Sequence, residues 1–325
     1  MRKAYSLTLI VLALLLQAVP LRAQDFDTWL VQLHSDAREQ GISEATLDRV
    51  LRNLRPLPYV LAAQGKQPES TLSWAQYRDR VVSFNRQLRG RELAATHAVE
   101  LKQVAERYGV QARFIVALWG IESDFGRNLG DVPTVAALAT IAHNGRRRSY
   151  FRSELLQLLR AIDDGLTPAG TVTGSWAGAL GQCQFMPSNY RQYAIDGDGD
   201  GRRDIWGTRA DIFASIAHFL SRLGWDDGQT WGRAVQVPAD FDKRLAGLRV
   251  RMRLDRWQAL GVRRLDGSNL PSRKDLWSNL LLPDGLRGEA FLVYDDFHTT
   301  MRWNRSTHFA LAVGILADAV APALH

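Results

Sequence analysis

The fold is decided around the run Ala117-Leu118-Trp119-Gly120-Ile121-Glu122-Ser123-Asp124-Phe125-Gly126, in which one glutamate ends an apolar helical stretch just before a glycine turn. Residues three and four positions apart share a helix face, so Leu118, Trp119 and Phe125 are expected beside Glu122. Desolvation by such neighbours raises the pKa of a carboxyl and retains its proton near neutral pH. The run therefore predicts a general acid at Glu122. A structural glutamate held by backbone amides is the alternative interpretation.

Around this run, the spacing of apolar residues predicts a chain rich in helices. From Phe26 to Gly126 the pattern is helical, with a break at Gly41-Ile42-Ser43, where Ser43 would cap a helix that starts at Glu44. The helices predicted further along cover 91–108, which Gly109 would end, 111–123, two segments within 134–164 separated near 143–145, 210–223 and 306–320. The short strands are predicted at 235–237 and 291–294.

These elements indicate a mainly α fold of the α+β class. We expect a helical region and catalytic core over 24–230, which includes an acidic loop at 196–211, then a small β-containing insertion over 231–300. A C-terminal helix within 301–325 would return to the core. About 300 residues after a leader are enough for a substantial core, so the fold needs no disulfide.

The N-terminus has the features of a secretory signal peptide. Arg2 and Lys3 precede an apolar run from Leu7 to Leu16, and the small-residue exit at Ala23 predicts cleavage there, giving a signal over 1–23. An uncleaved anchor is the alternative. The single cysteine, Cys183, lies far from this site and excludes a lipid-anchored cysteine at the cleavage point. We expect a soluble periplasmic protein that is not a lipoprotein.

Charge and aromatic content favour a carbohydrate over a nucleic acid. The formal charge of +7 includes Arg2, Lys3 and Arg22, so residues 24–325 carry 38 minus 34, or +4, without a long basic block. Ten tryptophans and eight tyrosines offer faces that stack on sugar rings, although most such rings belong to a protein core. We therefore expect no nucleic-acid partner.

A second informative block covers 174–190 and is rich in glycine and alanine. Small residues allow the backbone and a ligand to approach closely. Ser175 and Gln184 offer neutral hydrogen bonds, while Phe185 and Tyr190 offer ring surface, which is the mixture that a sugar groove needs. Tight helix packing by the small residues is the alternative interpretation.

A third block, 196–204, places aspartates at loop positions one, three, five and nine and a glycine at six, as in an EF-hand calcium loop. Gly207 stands at position twelve, where a bidentate glutamate is expected, and Asp211 could replace it. The predicted ligands are Asp196, Asp198, Asp200, the backbone carbonyl of Arg202, and Asp211. We expect a structural Ca²⁺, with Na⁺ or a solvated acidic turn as alternatives, and no organic cofactor.

The three blocks, together with Tyr150-Phe151 and the motif Asn304-Arg305-Ser306-Thr307-His308, resemble the membrane-bound lytic transglycosylase B family, glycoside hydrolase family 103, over nearly all of the mature chain. The resemblance implies a lysozyme-like helical core in which Glu122 is the single acid/base. It assigns the substrate groove to Ser175, Gln184, Phe185, Tyr150 and Asn304, and less directly to Tyr77, Arg146 and Arg147. Trp303 and Phe309 stand where the family pattern has tyrosines.

The resemblance implies a lytic transglycosylase that cuts the β-1,4 bond between N-acetylmuramic acid and N-acetylglucosamine and leaves 1,6-anhydromuramic ends. Most glycosidases use two carboxylates. Asp124 lies two residues after Glu122, which is about 200° around a helix, so the two side chains would point to different faces and Asp124 is not expected to be the second carboxylate. A lysozyme-type muramidase and a non-catalytic peptidoglycan-binding module are the alternatives, and the histidines show no zinc-ligand spacing. The expected partners are glycan strands and cell-wall synthesis proteins, and we expect a monomer.

Overall fold

The computed structural model describes residues 25–64, 71–167, 171–273 and 275–324. The predicted signal peptide, 1–23, lies outside the described residues. Within them, the helices of the first half are α1 (Phe26–Glu39), α2 (Glu44–Leu51), α3 (Pro58–Ala63), α4 (Trp74–Val81), α5 (Phe84–Thr96), α6 (Ala98–Tyr108) and α7 (Ala112–Ser123). Those of the second half are α8 (Thr134–Asn144), α9 (Arg148–Asp163), α10 (Pro187–Tyr193), α11 (Arg209–Arg222), α12 (Leu254–Ala259), α13 (Asp295–Trp303) and α14 (Thr307–Val320).

Several helix ends follow the local signals in the sequence. Ser43 accepts a hydrogen bond from the backbone N–H of Thr46 and caps α2, as predicted. Gly109 ends α6 with a φ of 63°, a conformation that glycine adopts without the steric cost of a Cβ. The break near 143–145 is also present between α8 and α9.

The single long helix predicted over 91–108 is wrong, because the chain bends at His97 between α5 and α6. The His97 ring lies 6.3 Å from the Trp119 ring and 6.0 Å from the Phe213 ring. Turning the side chain onto these core rings is a tertiary interaction that overrides the helical periodicity of the segment.

Helix α7 runs through the centre of the helical core. Every side chain from Phe114 to Leu118 is fully buried, which is expected for a helix that is apolar on all sides. A Cβ at Gly120 would lie 2.6 Å from the Phe125 ring and 3.3 Å from Leu316 Cδ2. Glycine at this position therefore lets α14 and the following turn pack closely against α7.

The last helix is strongly apolar. The window Thr307–Leu324 is long and apolar enough to cross a membrane by composition, with a mean hydropathy of 1.6, yet half of it is buried inside the protein. Leu311 and Leu316 are fully buried, and α14 packs on α7. We therefore interpret α14 as a core helix.

A five-stranded antiparallel sheet lies within residues 232–293, in the region where a small β insertion was predicted. In the order across the sheet, the strands are β4 (Met252–Arg253), β6 (Trp277–Leu281), β7 (Ala290–Val293), β3 (Gly232–Gln236) and β5 (Arg263–Arg264). A separate two-stranded pair joins β1 (Val132–Pro133) to β2 (Thr173–Gly174).

The sheet contributes side chains to two hydrophobic cores, because successive side chains along a strand point to opposite faces. Phe291 and Val293 belong to the helical core, while Ala290 and Leu292 pack with Trp257 in a second, smaller core. The central strand β7 is therefore buried on both faces. One face of the sheet packs against the helical core, so the sheet and the helices share a continuous apolar contact. The domain boundaries predicted at 230 and 300 remain predictions.

Polar contacts fix the insertion to α4. Asp284, in the turn between β6 and β7, accepts hydrogen bonds from the backbone N–H groups of Trp74 and Ala75 at 2.9 and 3.0 Å. Glu289 accepts the Trp74 indole N–H at 2.7 Å and pairs with Arg78 at 2.6 Å. Carboxylates at a helix N-terminus also complement the helix dipole.

Candidate active site

Glu122 lies in the last turn of α7, just before a tight reversal of the chain. Asp124, Phe125 and Gly126 have consecutive positive φ values of 52°, 59° and 80°. A Cβ at Gly126 would lie 2.4 Å from Gln182 Oε1, so both the conformation and the space require glycine. The turn ends the helix one residue after Glu122, and the Glu122 side chain is partly buried at this helix end.

Phe125 does not share a helix face with Glu122, which corrects the sequence-based expectation. The left-handed turn sends its ring back along α7, where it contacts Gly120 and lies 5.4 Å from the Trp119 ring. Phe125 is therefore part of the core that supports the turn, and its ring no longer follows the helical spacing because α7 has already ended.

The indole N–H of Trp303 donates a hydrogen bond to Glu122 Oε1 at 2.6 Å. Trp303 ends α13, and its ring packs on Phe185 at 5.0 Å and on Phe219 at 4.6 Å between ring centroids. The indole is thus held in place from behind and fixes the orientation of the carboxyl. Sequence reasoning treated Trp303 only as a stacking ring and missed this contact.

Asp124, the carboxylate nearest to Glu122 in sequence, is engaged by two arginines. Its oxygens lie 3.4 Å from Arg86 Nε and 2.5 Å from Arg127 Nη2. A carboxylate paired in this way stabilises the turn, and its left-handed backbone points away from the helical path assumed in the sequence argument. The pairing supports the interpretation that Asp124 does not share the chemistry of Glu122.

The glycine-rich part of the block, 174–186, folds mostly as a loop with tight contacts to its own backbone and to α8. A Cβ at Gly174 would lie 2.1 Å from the backbone oxygen of Ala179, and one at Gly178 would lie 2.4 Å from Leu138 Cδ2. Ser175 Oγ accepts the N–H of Ala179 at 3.0 Å. The small residues are needed for close backbone approach, as the sugar-groove interpretation assumed, but here the near neighbour is the protein itself.

Gln184 and Gln182 anchor this loop in different directions. Gln184, with a φ of 47°, donates its amide N–H groups to the carbonyls of Leu129 and Gly181. Gln182 accepts the Trp119 indole N–H at 2.6 Å and donates to the carbonyl of Trp206 at 2.7 Å. Gln182 therefore connects α7 to the acidic loop, and this role could not be predicted from local sequence because its partners lie far away along the chain.

The two predicted ring surfaces, Phe185 and Tyr190, are buried, and so is Tyr77, which the resemblance placed less directly in the groove. Phe185 and Tyr77 are each 1% exposed and Tyr190 is fully buried. Phe185 stacks on Phe219 and supports Trp303, while the hydroxyl of Tyr190 donates to backbone carbonyls. Burial of large apolar rings is favourable, and through Trp303 the Phe185 ring supports the site from behind.

The remaining predicted groove residues are less buried. The Arg147 guanidinium lies over the Tyr150 ring, 4.2 Å from its centroid, and burial, together with the charge of Glu154, raises the pKa of Tyr150 to about 12. The backbone N–H of Arg146 donates to Gln64 Oε1 at 3.1 Å. Asn304 directly follows Trp303, and its Oδ1 accepts the N–H of Ser306, so it lies next to the ring that holds Glu122.

A second glutamate, Glu154 of α9, is more buried than Glu122 and was missed by sequence reasoning. It is 4% exposed, and its two oxygens accept the backbone N–H of Ser188 at 2.9 Å and the Ser188 hydroxyl at 2.8 Å. These bonds satisfy donors at the first turn of α10. Its place within the apolar pattern of α9 was the available sequence signal.

Cys183 is a packing residue, as interpreted from the sequence. Its side chain is 1% exposed, and burial, followed by the nearby charges of Glu122 and Asp211, raises the pKa of the thiol well above its usual range. The thiol therefore stays protonated near neutral pH and is a poor nucleophile.

The acidic loop brings three of its predicted ligands together. Oxygen atoms of Asp196, Asp198 and Asp211 lie within 4.8 Å of one another. Asp211, at the start of α11, is fully buried, and burial together with the charges of Asp198 and Asp196 raises its pKa. Asp211 thus lies close to the two loop carboxylates, and its role as the ligand that replaces position twelve remains a prediction.

Hydrogen bonds from backbone N–H groups of the loop to these carboxylates stabilise the loop conformation. Asp196 accepts the N–H groups of Gly199, Asp200 and Gly201; burial acts to raise its pKa, but these bonds outweigh burial and lower it. Asp211 accepts those of Gly197 and Asp204 at 2.7 and 2.6 Å. Asp200, the other predicted aspartate ligand, is not in the group of three, and its Oδ1 accepts the N–H of Arg202.

The family of the chain follows from comparison with known proteins. The family model described as the transglycosylase SLT domain matches residues 25–318. The chain belongs to this family. Within it, the chain is 30% identical to the membrane-bound lytic murein transglycosylase B of Escherichia coli (strain K12) over 321 residues, which cover 92% of this chain and 82% of that protein.

Two solved structures of similar proteins match this chain over most of its length. SltB3 from Pseudomonas aeruginosa in complex with NAG-anhNAM-pentapeptide is 42% identical, with a TM-score of 0.87 over 92% of this chain and 80% of that one. The Escherichia coli lytic transglycosylase Slt35 in complex with calcium is 29% identical, with a TM-score of 0.77 over 91% and 93%. The predicted family, the mainly helical lysozyme-like fold and the lytic transglycosylase class are confirmed.

Proposed function

We propose that Glu122 performs both proton transfers of a lytic transglycosylase acting on peptidoglycan. The protonated carboxyl donates to the glycosidic oxygen between N-acetylmuramic acid and N-acetylglucosamine while the bond from C1 to that oxygen breaks. The glutamate, now ionised, then accepts the proton of the muramic C6 hydroxyl as this oxygen bonds to C1. The glutamate ends protonated, the product carries a 1,6-anhydro ring, and no water is consumed.

The observation that carries this proposal is the setting of Glu122 at the end of α7. The carboxyl is oriented by the Trp303 indole, and the adjacent Asp124 is paired with two arginines. A mechanism with one carboxylate fits this arrangement better than one with two carboxylates about 5 Å apart. The anhydro sugar bound to the similar SltB3 is the product type that such a mechanism yields.

The test is digestion of purified sacculi by the wild type and by Glu122→Gln, with the soluble products weighed by mass spectrometry. We expect fragments lighter by one water than hydrolysis products, and none from the variant. Equal digestion by both proteins would remove Glu122 from the reaction. Fragments with ordinary reducing ends would instead support the lysozyme-type muramidase.

We also propose that Asp196, Asp198 and Asp211 hold a structural Ca²⁺, with Asp200 and the carbonyl of Arg202 completing the site after local rearrangement. Three carboxylates within 4.8 Å repel one another unless a cation compensates their charge. Oxygen-only donors suit a hard cation such as Ca²⁺, and Na⁺ is the weaker candidate. The similar Slt35 was solved in complex with calcium.

The proposed place of action is the periplasm, where the glycan strands of peptidoglycan are the partner. It is supported by the family match and by the signal-like sequence of 1–23. Export can be checked by fractionating cells that express the full chain and by sequencing the N-terminus of the periplasmic form, for which cleavage after Ala23 is expected. Association with cell-wall synthesis proteins and a monomeric state remain predictions.

A further inference from the structure

A cavity of about 740 Å³ lies where the sheet meets the end of α11 and one side of α13. The helical core contributes Arg222, Thr299 and Arg302, and the β-containing region contributes Arg251 and Asn279. The cavity is separate from the acidic loop, and its lining does not include Glu122.

Positive charge dominates this cavity. Three guanidinium groups and one carboxylate line it, which gives a formal charge of +2. Arg251 pairs with Asp295 at 2.5 Å, and Arg302 donates to the carbonyl of Leu223 at 3.0 Å. Within the part of the chain that the structure describes, Arg222 makes no hydrogen bond or ion pair, so its guanidinium is available to a ligand.

Hydrogen bonds hold the wall behind these arginines. Asn279 is 1% exposed, and its amide N–H groups point to the carbonyls of Gly247, Leu248 and Val250. Its oxygen accepts from His298 Nε2 at 2.9 Å. Burial, followed by the charge of Arg251, lowers the pKa of His298, so this ring is neutral near pH 7 and leaves the charge of the cavity to the arginines.

The cavity is close to the proposed reaction centre. Arg302 directly precedes Trp303, whose indole binds Glu122. Arg222 lies three residues after Phe219, which packs on Trp303, and this spacing is about one helical turn, roughly 5 Å. Residues that line the cavity are therefore direct chain neighbours of the residues that support Glu122.

We propose that this cavity binds a carboxylate of the peptide stem carried by the glycan strand, an inference that rests on the proposed function. The backbone of N-acetylated sugars is uncharged at the bond to be cut, whereas the stem carries free carboxylates. Guanidinium groups bind carboxylates through paired, charge-assisted hydrogen bonds. Arg222 is the specificity-determining residue, and Arg251 and Arg302 keep the cavity positive.

The test compares two substrates: glycan strands with their stems, and strands from which an amidase has removed the stems. In Arg222→Gln, the ratio of kcat/KM for stem-bearing over stem-free strands falls about tenfold through KM, the effect of losing one charged hydrogen bond. Arg222→Lys, which keeps the charge, recovers part of the ratio. Arg287→Gln, an exposed arginine of the insertion, removes the same charge elsewhere and keeps the wild-type ratio.

The outcomes separate this inference from the proposed function. An unchanged ratio in Arg222→Gln, or an equal fall in Arg287→Gln, overturns the stem site and leaves the transglycosylase mechanism standing. A wild-type protein that cleaves neither kind of strand overturns the proposed function and this inference with it.

Discussion

Two glutamates of the helical core, one on α7 and one on α9, show how one carboxyl becomes reactive and another structural. Glu154 is 4% exposed, and both of its oxygens accept hydrogen bonds from Ser188. Glu122 is less buried, stands at the end of its helix, and is oriented by an aromatic N–H. A carboxyl that transfers protons must reach a substrate, whereas one that satisfies a helix end must not move. Burial alone therefore does not identify a catalytic acid.

The largest expected effect is that of replacing Glu122. In Glu122→Gln, we expect kcat to fall by at least about 10³-fold, since one residue supplies both proton transfers and each general acid or base step contributes about 10²- to 10⁴-fold. The melting temperature should stay close to that of the wild type, because the amide keeps the shape of the carboxyl. If the melting temperature of Glu122→Gln also fell well below that of the wild type, the loss of kcat would reflect a structural role of Glu122 instead.

Glu154→Ala should show the opposite pattern. The N–H of Ser188 loses its acceptor in a buried position, which costs about 2 kcal/mol of unfolding free energy. Urea unfolding measures this loss, and kcat of the folded variant should remain within about twofold of the wild type. A large fall in kcat at unchanged stability would contradict the division of roles between the two glutamates.

Trp303→Phe tests how far the orientation of Glu122 matters. The ring still packs on Phe185 and Phe219, but the donor to Glu122 is lost, so kcat should fall about tenfold with little change in stability. Trp303→Tyr places a hydroxyl where the family pattern has one and should recover part of the activity. Equal kinetics for the wild type and the phenylalanine variant would show that the hydrogen bond is dispensable.

The local parts of the fold could be predicted from sequence, and the long-range parts could not. The cap at Ser43, the helix end at Gly109 and the reversal after Glu122 follow from residues within a few positions of each other. The contact of Trp303 with Glu122 joins residues 181 positions apart. The burial of Phe185 and the bend at His97 likewise depend on tertiary packing, which periodicity does not report.

The smallest predicted effect is the stabilisation of the protein by Ca²⁺ at the acidic loop, where several carboxylates lie together. Ca²⁺ at about ten times its Kd should stabilise the protein by about 1.4 kcal/mol, a rise of roughly 3 °C in melting temperature. The shift should vanish in Asp196→Ala/Asp200→Ala, while Mg²⁺ should reproduce little of it in the wild type. An equal shift in the double variant would place calcium elsewhere.

The central claim, that Glu122 closes the anhydro ring without water, is tested most directly by digesting sacculi in ¹⁸O-labelled water. The account predicts muramic products one water lighter than hydrolysis products and without ¹⁸O at C1. Products with ¹⁸O at a reducing C1 would contradict it, since water would then be the nucleophile and the protein a muramidase.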